Sequence, residues 1–290
     1  METTTNYRDE KTGEMHGLSR VRSLTQDDSH TYCMPDQVDE IFDNLIDAIK
    51  QFYDAISMKL KLRISLRDDS DAYLGDKKLW DFAQDKLKTI AERNSLEFYQ
   101  QAGEAAFYGP KLDFMAEDAI GRSWQVATIQ FDFVQPERFK LKYIDSDGSE
   151  KQPIMVHCAI MGSFDRFFSV FIEHTAGHFP FWLAPEQIRI VTVNDKVNDY
   201  AKQVQDVLSD IILMQPLKFN ELRFSTDLRK ENLGKKIKSA EELKIPVIII
   251  VGPKDQEAQT VSLRYFDGAE TKEDKIPLAE LANWILKFND

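Results

Sequence analysis

Apolar residues recur along the first part of the chain with two different periods, and these periods predict its elements. From Val38 to Phe52 the spacing is helical, with acidic residues on the opposite side, so an amphipathic helix is predicted to begin at Pro35-Asp36. Strict alternation from Lys59 to Arg67 predicts a half-buried antiparallel strand. A second amphipathic helix is predicted from Lys77 to Glu92.

The middle of the chain is rich in predicted strands. In the strand from Ser123 to Phe133, alternation places Thr128 and Gln130 on one face and Gln125 on the other. The other elements predicted here are a strand with a Gly-Pro break (105–114), a hairpin of 139–144 with 153–160 around an Asp-Gly turn, and a helix (162–176). Hairpin-linked strands with helices to one side indicate an antiparallel α+β domain.

Beyond Phe179-Pro180 and Ala184-Pro185 strands and helices alternate instead. The predicted strands are 188–193, 221–226, 246–251 and 260–266, and the predicted helices are 197–213, 233–243 and 278–288. The run PVIIIV at 246–251 is typical of a strand that is buried on both faces. This rhythm predicts a small, mostly parallel α/β domain with helices on both faces of its sheet.

The stretch from Ser19 to Cys33 is also predicted to be a strand, but its polar residues are a poor basis for a core. Period-two spacing gives two polar sets that share a face, Arg20 with Arg22 and Gln26 with Asp28 and His30. A solvated edge strand would explain this pattern. A ligand-binding face would also explain it, because Gly13 and Gly17 just before it allow close backbone approach.

Composition narrows the functional classes. A chain of 290 residues suggests about two domains. Its net charge of −12 does not favour nucleic-acid binding, although a local basic face remains compatible with it. Two cysteines are too few for a disulfide framework and fit a reducing compartment, and no apolar run is long enough for a membrane span. These features predict a cytoplasmic protein without a membrane segment.

Five motifs then occur in a fixed order. They are HGLSRVRSLTQDDSHTYC (16–33), YGPKLDF (108–114), WQVATIQFDF with PERF after it (124–139), HCAIMGSFDRF (157–167) and WLAP (182–185). Together they resemble threonyl-tRNA synthetases, and the resemblance covers nearly the whole chain. It implies a class II synthetase-like antiparallel sheet with helices over 1–183 and an anticodon-binding domain over 184–290. Because the match begins at the second signature motif, the first signature, the strand with the zinc-binding Cys and the editing domain are expected to be missing.

The resemblance implies a threonine–tRNA ligase that activates threonine with ATP and Mg²⁺ and transfers it to tRNA(Thr). Both reactants of the first step are anionic, so arginines that grip phosphate suit it. Arg8 and Glu10 match the second signature, where they would hold the α-phosphate and read the adenine amino group. Arg20 would hold the outer phosphates and Arg166 adenine and the γ-phosphate. By the same resemblance Gln125 would lie near the ribose and phosphates.

Threonine recognition is implied for a second set of residues. Asp28 would bind the amine or hydroxyl, with Gln26, Tyr108, Gln130 and Ser163 around it, and Lys111 would neutralise phosphate near the reacting centre. The family selects the threonine hydroxyl with a Zn²⁺ ion on one Cys and two His. His30 and His157 match the two histidines, whereas alternation turns Cys158 away from His157. With the third ligand missing, zinc binding by this chain is predicted to be weak or absent.

In the C-terminal domain the resemblance implies that Arg229, Lys230, Asp255 and Arg264 contact the tRNA anticodon. The surrounding segment 223–244, which includes Lys236, is basic and would suit tRNA phosphates or form a solvated helix face. The family dimerises largely through the missing part, so the sequence leaves the oligomeric state open. Two alternatives to the ligase also stay open: a catalytically impaired, truncated synthetase-like protein that binds tRNA or a partner, and a regulatory subunit that senses an amino acid or nucleotide.

Overall fold

The structure is a computed structural model that describes residues 2–118, 120–214 and 222–289, without the side chains of 212–214. The chain divides into two compact units, Met1–His174 and Thr175–Asp290. Glu221, the first residue of one predicted strand, lies outside the described residues. Within the described ranges we find no helix with the length and apolar character that a membrane span requires.

The first unit is built on a seven-stranded sheet. Its strands, together with a small hairpin, are β1 (Glu2–Tyr7), β2 (Ser23–Cys33), β3 (Leu60–Leu66), β4 (Phe98–Ala102), β5 (Lys111–Glu117), β6 (Ser123–Asp132), β7 (Tyr143–Ile144), β8 (Glu150–Lys151) and β9 (Ile154–Ala159). The order in the sheet is β1-β2-β9-β6-β5-β3-β4, and only the β3–β4 pair is parallel among these strands. The antiparallel α+β prediction is confirmed.

Four helices accompany this sheet, and the alternation of the strands decides which face they cover. They are α1 (Val38–Ala55), α2 (Lys77–Arg93), α3 (Val134–Arg138) and α4 (Phe164–Thr175). Helix α1 contacts β6, where Phe42 packs against Phe131, and α2 contacts β3. On this face the strands bury apolar side chains such as Ile64 and Ile129, each worth about 2 kcal/mol. The opposite face carries polar side chains.

The structure corrects the sequence prediction for strands β2 and β9. Strand β2 begins at Ser23 rather than at Ser19, so Arg20 and Arg22 precede it, and β1 pairs along its edge. The predicted hairpin partner 153–160 becomes β9, which inserts between β2 and β6. The hairpin itself is the short β7–β8 pair. The long-range pairing wins because β9 buries Val156 and Cys158 against the core, whereas β7 and β8 have little to bury.

A β-bulge changes which side chains of β6 share a face. Phe114 pairs with Ala127 and Met115 pairs with Gln125, so Val126 is an extra residue in β6. Such an insertion shifts the alternation by one position. The sequence prediction that Gln125 faces away from Thr128 is therefore wrong, because both lie on the polar face.

The second unit is a five-stranded sheet with helices on both faces, as predicted. Its elements are β10 (Ile188–Thr192), α5 (Asn198–Met214), β11 (Phe224–Asp227), α6 (Leu233–Glu242), β12 (Val247–Val251), α7 (Pro253–Ala258), β13 (Thr260–Phe266), β14 (Thr271–Pro277) and α8 (Leu281–Asn289). The order is β11-β10-β12-β13-β14, in which the first three strands are parallel and the last two antiparallel. One core joins α5 and α8 to the sheet and a smaller one joins α6. The sequence missed β14, whose polar residues are exposed and do not alternate.

Candidate active site

A cavity of about 300 Å³ lies on the polar side of the first sheet. The predicted site residues that line it are Arg8, Glu10, Arg20, Gln26, Lys111, Gln125, Gln130, Ser163 and Arg166. A larger cavity of about 530 Å³ lies beside the end of α1, near Lys50 and Lys59, and is lined by none of the predicted residues. The chemistry therefore points to the smaller, more polar cavity.

Three guanidinium groups meet around this cavity. Arg166 donates from Nε to the carbonyl oxygen of Ser19 at 2.8 Å, and Arg20 forms an ion pair with Glu10 at 2.9 Å. Burial lowers the pKa of Arg166, and the charges of Arg8 and Arg20 lower it further. The hydrogen bond from Arg20 in turn lowers the pKa of Glu10. Mutual repulsion of the arginines makes this wall of the cavity suitable for a polyanion.

The buried carboxylate of Asp113 holds two of the residues that line the cavity. Asp113 forms an ion pair with Lys111 Nζ at 3.2 Å and accepts a hydrogen bond from Gln125 Nε2 at 2.8 Å. Gln125 Oε1 accepts from Arg63 Nη2 at 3.2 Å. The sequence analysis missed both Asp113 and Arg63. Period-two spacing from Lys111 would have placed Asp113 on the site face.

The turn between β9 and α4 is fixed by Asp27 on the far side of β2. Asp27 accepts the backbone N–H of Ile160 at 2.6 Å and that of Met161 at 3.1 Å, and burial raises the pKa of its carboxyl group. Gly162 has a φ of +66°, and a Cβ there would lie 2.9 Å from the Val126 carbonyl oxygen. Asp27 is a third residue that sequence reasoning missed, because it lies on the buried face.

The amide of Gln130 is joined to Tyr108 outside the cavity wall. Tyr108 donates its hydroxyl proton to Gln130 Oε1 and stacks on His157 at a centroid distance of 5.0 Å. Burial raises the pKa of Tyr108 to about 12, and the charges of Asp132 and Asp28 add to this shift. Tyr108 therefore keeps its proton near neutral pH.

The two predicted zinc ligands lie next to each other. His30 and His157 are paired across β2 and β9, with ring centroids 4.6 Å apart, and His157 Nε2 lies 2.9 Å from Asp132 Oδ2. Cys158 is buried on the opposite face of the sheet. Among the described residues, no three His, Cys, Asp or Glu side chains are placed to hold a metal ion together. The residues present thus do not complete the family's zinc site.

In the second unit, three predicted anticodon residues share one edge of the sheet. Arg229 and Lys230 follow the C-terminal end of β11, and Asp255 follows that of β12. Arg229 binds the carboxylate of Asp227 through Nε at 2.9 Å and Nη2 at 2.6 Å. Arg264 lies elsewhere, because it pairs in register with Ile248 near the start of β12.

Lys236 does not belong to the predicted basic surface, because it is buried. Its side chain is 1% exposed, and its ammonium donates to the Thr192 carbonyl oxygen at 2.9 Å and to the Asp227 carbonyl oxygen at 3.1 Å. It therefore joins β10 to β11 and cannot meet a phosphate. The exposed cations of this segment are Arg229, Lys230, Lys235, Lys238 and Lys244.

Comparison with known proteins identifies the family. Residues 1–175 match the tRNA synthetase class II core domain (G, H, P, S and T), and residues 187–288 match the anticodon binding domain. The crystal structure of the RNA binding domain of threonyl-tRNA synthetase from Cryptosporidium parvum Iowa II has a TM-score of 0.82 to this chain. It is 32% identical, over 98% of this chain and 68% of that one. The chain belongs to the threonyl-tRNA synthetase family.

Curated members of this family match over most of the chain. A threonine–tRNA ligase of Prosthecochloris aestuarii is 46% identical over 264 residues, which are 90% of this chain and 39% of that protein. One of Gloeobacter violaceus is 41% identical over 284 residues, or 97% of this chain and 44% of that protein. The chain thus spans about two fifths of the length of these relatives. The resemblance drawn from the five motifs is confirmed, and so is the class II synthetase-like fold.

Proposed function

We propose that this chain carries a threonine-activating site and acts in the ATP-dependent ligation of threonine to tRNA(Thr). The observation that carries the proposal is the meeting of Arg8, Arg20 and Arg166 around one cavity of about 300 Å³. A triphosphate would relieve the repulsion between these cations. The residues that the motifs assign to ATP and most of those assigned to threonine line the same cavity.

The chemistry requires charge neutralisation more than a protein nucleophile. A carboxylate oxygen of threonine attacks the α-phosphorus, the bond from that phosphorus to the bridging oxygen breaks, and pyrophosphate leaves with the electron pair. Arg8 would stabilise the α-phosphate, and Arg20 and Arg166 the outer phosphates, because oriented cations act best where charge develops. Glu10 would accept from the adenine amino group. Mg²⁺, when bound to the phosphates, supplies further positive charge.

The amino-acid side of the cavity would recognise the amine and hydroxyl of threonine. Gln26, Gln130 and Ser163 line the cavity. Asp28 lies two residues from Gln26 in β2 and so faces the same side of the sheet, and Tyr108 donates to Gln130. A site that hydrogen-bonds a hydroxyl rejects valine, because its own polar groups would otherwise be left unpaired. We assign these five residues to threonine and Lys111 to the phosphate or the tRNA terminus.

We further propose that residues 1–183 are the catalytic-core part and that 184–290 bind the anticodon through Arg229, Lys230, Asp255 and Arg264. Lys230 supports this assignment best, because its side chain is 89% exposed and its partner Asp195 is 3.9 Å away. Arg264 is held by Glu241 at 2.7 Å and also by Glu273, so a base would have to compete with these carboxylates.

One observation favours a second candidate, a protein that binds tRNA or a partner without catalysis. The zinc ion selects the threonine hydroxyl in the family, and the described residues place only His30 and His157 for it. Both candidates share the tRNA-binding unit, so catalysis alone separates them.

Threonine-dependent exchange of pyrophosphate into ATP tests the proposal. The unaltered chain should catalyse it, and Arg166→Ala should reduce the rate by about a hundredfold, as for other lost transition-state contacts. Arg93→Ala, on the exposed side of α2, is the matched control and should stay within about twofold. No exchange together with tRNA binding in a gel-shift assay would favour the second candidate. Equal rates for the two variants would contradict the site assignment.

A further inference from the structure

Asp113 is the best-connected buried carboxylate of the first unit, yet it does not line the cavity. It is 0% exposed. It accepts hydrogen bonds from four side chains, Arg63 at 3.0 Å, Ser65 at 2.6 Å, Gln125 at 2.8 Å and Thr128 at 2.8 Å, and forms an ion pair with Lys111 at 3.2 Å. Lys111, Gln125 and Thr128 all line the cavity. Asp113 therefore acts on a ligand only through them.

The charge of Asp113 fixes the direction of the Gln125 amide. An ionised carboxylate only accepts hydrogen bonds, so Gln125 must present its NH₂ group to Asp113. Its oxygen then faces Arg63, which only donates. The amide cannot turn over without breaking both bonds. The remaining N–H and the remaining lone pair of Gln125 are consequently held in fixed directions.

A second branch runs from Asp113 to Tyr108. Because Asp113 only accepts, Thr128 must donate its hydroxyl proton, and its oxygen is left to accept from Gln130 Nε2 at 3.4 Å. Gln130 Oε1 is thereby turned towards Tyr108, whose hydroxyl donates to it. Tyr108 retains its proton near neutral pH, as its raised pKa requires. Each hydrogen bond in this series therefore has only one possible donor and one possible acceptor.

We propose that Asp113 is a positioning residue that sets the direction of the Gln125 and Gln130 amides and the place of the Lys111 ammonium. The inference rests on the proposed function, because these three side chains then present fixed donors and acceptors to ATP and threonine. The carboxylate of Asp113 forms ion pairs with both Arg63 and Lys111. The other acidic partner of Arg63 is Glu104, at 3.4 Å. Without the charge of Asp113 the two cations would repel each other in a poorly solvated place.

Asp113→Asn is the sharpest change, because it keeps the shape and turns one acceptor into a donor. In the full chain, calorimetry should show about tenfold weaker binding of both ATP and the sulfamoyl analogue of threonyl adenylate. Thr128→Val breaks only the branch to Gln130. It should therefore weaken the binding of the analogue and of threonine but leave the affinity for ATP within about twofold of the unaltered chain. Ser65→Ala is the matched control: Ser65 is equally buried and bonds the same carboxylate, but it does not line the cavity.

A readout without ligand separates this inference from the proposed function. Reductive methylation of Lys111, followed by mass spectrometry, should be slow in the unaltered chain and in Ser65→Ala, and several times faster in Asp113→Asn. If the unaltered chain binds neither ATP nor the analogue, the proposed function fails and the methylation rates still decide the role of Asp113. Equal methylation of Lys111 in Asp113→Asn and Ser65→Ala overturns the inference. If Asp113→Asn does not fold, equal losses of ATP and analogue binding in Thr128→Val overturn it.

Discussion

Gly109 allows two backbone segments of the site to touch, and Gly109→Ala should separate them. A Cβ at this position would lie 1.6 Å from the carbonyl oxygen of Phe131. Side-chain rotation cannot relieve this clash, because the obstacle is backbone. The neighbouring hydrogen bond from Phe131 N to Pro110 O, at 3.0 Å, holds the segments together. The substitution therefore acts on the sheet itself and displaces Tyr108 from Gln130.

The structure sets the scale of the effect. Real Cβ atoms essentially never approach an atom within 3.0 Å, so the segments must part by at least about 1.4 Å, the difference from 1.6 Å. Such a shift breaks the hydrogen bond from Phe131 N to Pro110 O, which costs about 1 kcal/mol of stability. Overpacking costs about 1–3 kcal/mol more. We expect a loss of about 2–4 kcal/mol in the stability of the first unit.

Two other glycines serve as controls for this prediction. Gly148 has a φ of +79° with nothing within 4 Å of its Cβ position, so Gly148→Ala should cost only the left-handed strain of about 1 kcal/mol. Gly13 has neither a clash nor a positive φ, so Gly13→Ala should stay within about 0.5 kcal/mol of the parent. Urea unfolding read by hydrogen exchange separates the two units. If Gly109→Ala is as stable as Gly13→Ala, the close approach does not exist.

Two further predictions concern buried groups. Lys236→Met removes the buried ammonium that donates to the carbonyl oxygens of Thr192 and Asp227, and it should destabilise the second unit by about 2 kcal/mol. Urea unfolding beside the exposed control Lys235→Met checks this, and equal midpoints would contradict it. Burial raises the pKa of Cys158 from 9.0 to about 12, so the folded state holds this proton more tightly and its contribution to stability is full below pH 9 and lost as the pH rises towards 12. The urea midpoint of the parent should accordingly fall more steeply than that of Cys158→Ala between pH 9 and 11, and parallel curves would show that the thiol is not desolvated.

Helices and buried strands were predictable because their patterns are local. Helix α1 and strand β12 lie close to their predicted bounds, since each has one dominant period or one continuous apolar run. The position of β9 was not predictable in this way. Its neighbour β2 comes from a distant part of the sequence and β6 from before the short hairpin, and only the burial of its apolar face selects them over that hairpin. Polar β14 has no local pattern that could reveal it.

For the site, it was easier to predict which residues take part than which face of the sheet their side chains lie on. The motifs pointed to Gln125 and Gln130 together, whereas alternation placed them on opposite faces. The bulge at Val126 resolves that conflict, and no local signal in the sequence announces it. Asp113 could have been found from its spacing to Lys111, but its importance depends on Arg63 and Ser65, which approach from β3. Such partners become visible only in three dimensions.

Successive side chains of β2 point to opposite faces of the sheet, and contacts on both faces hold the same turn. Gln26 faces the cavity and forms a bridge with Ser163, whereas the next residue, Asp27, holds the backbone of Ile160 and Met161 from behind. Two consecutive residues thus hold the turn that leads into α4 from opposite sides. Because Arg166 lies on that helix, its distance from the arginines before β2 depends on both contacts. The polar strand that looked like a solvated edge is therefore the element that aligns the cations to which we assign the nucleotide.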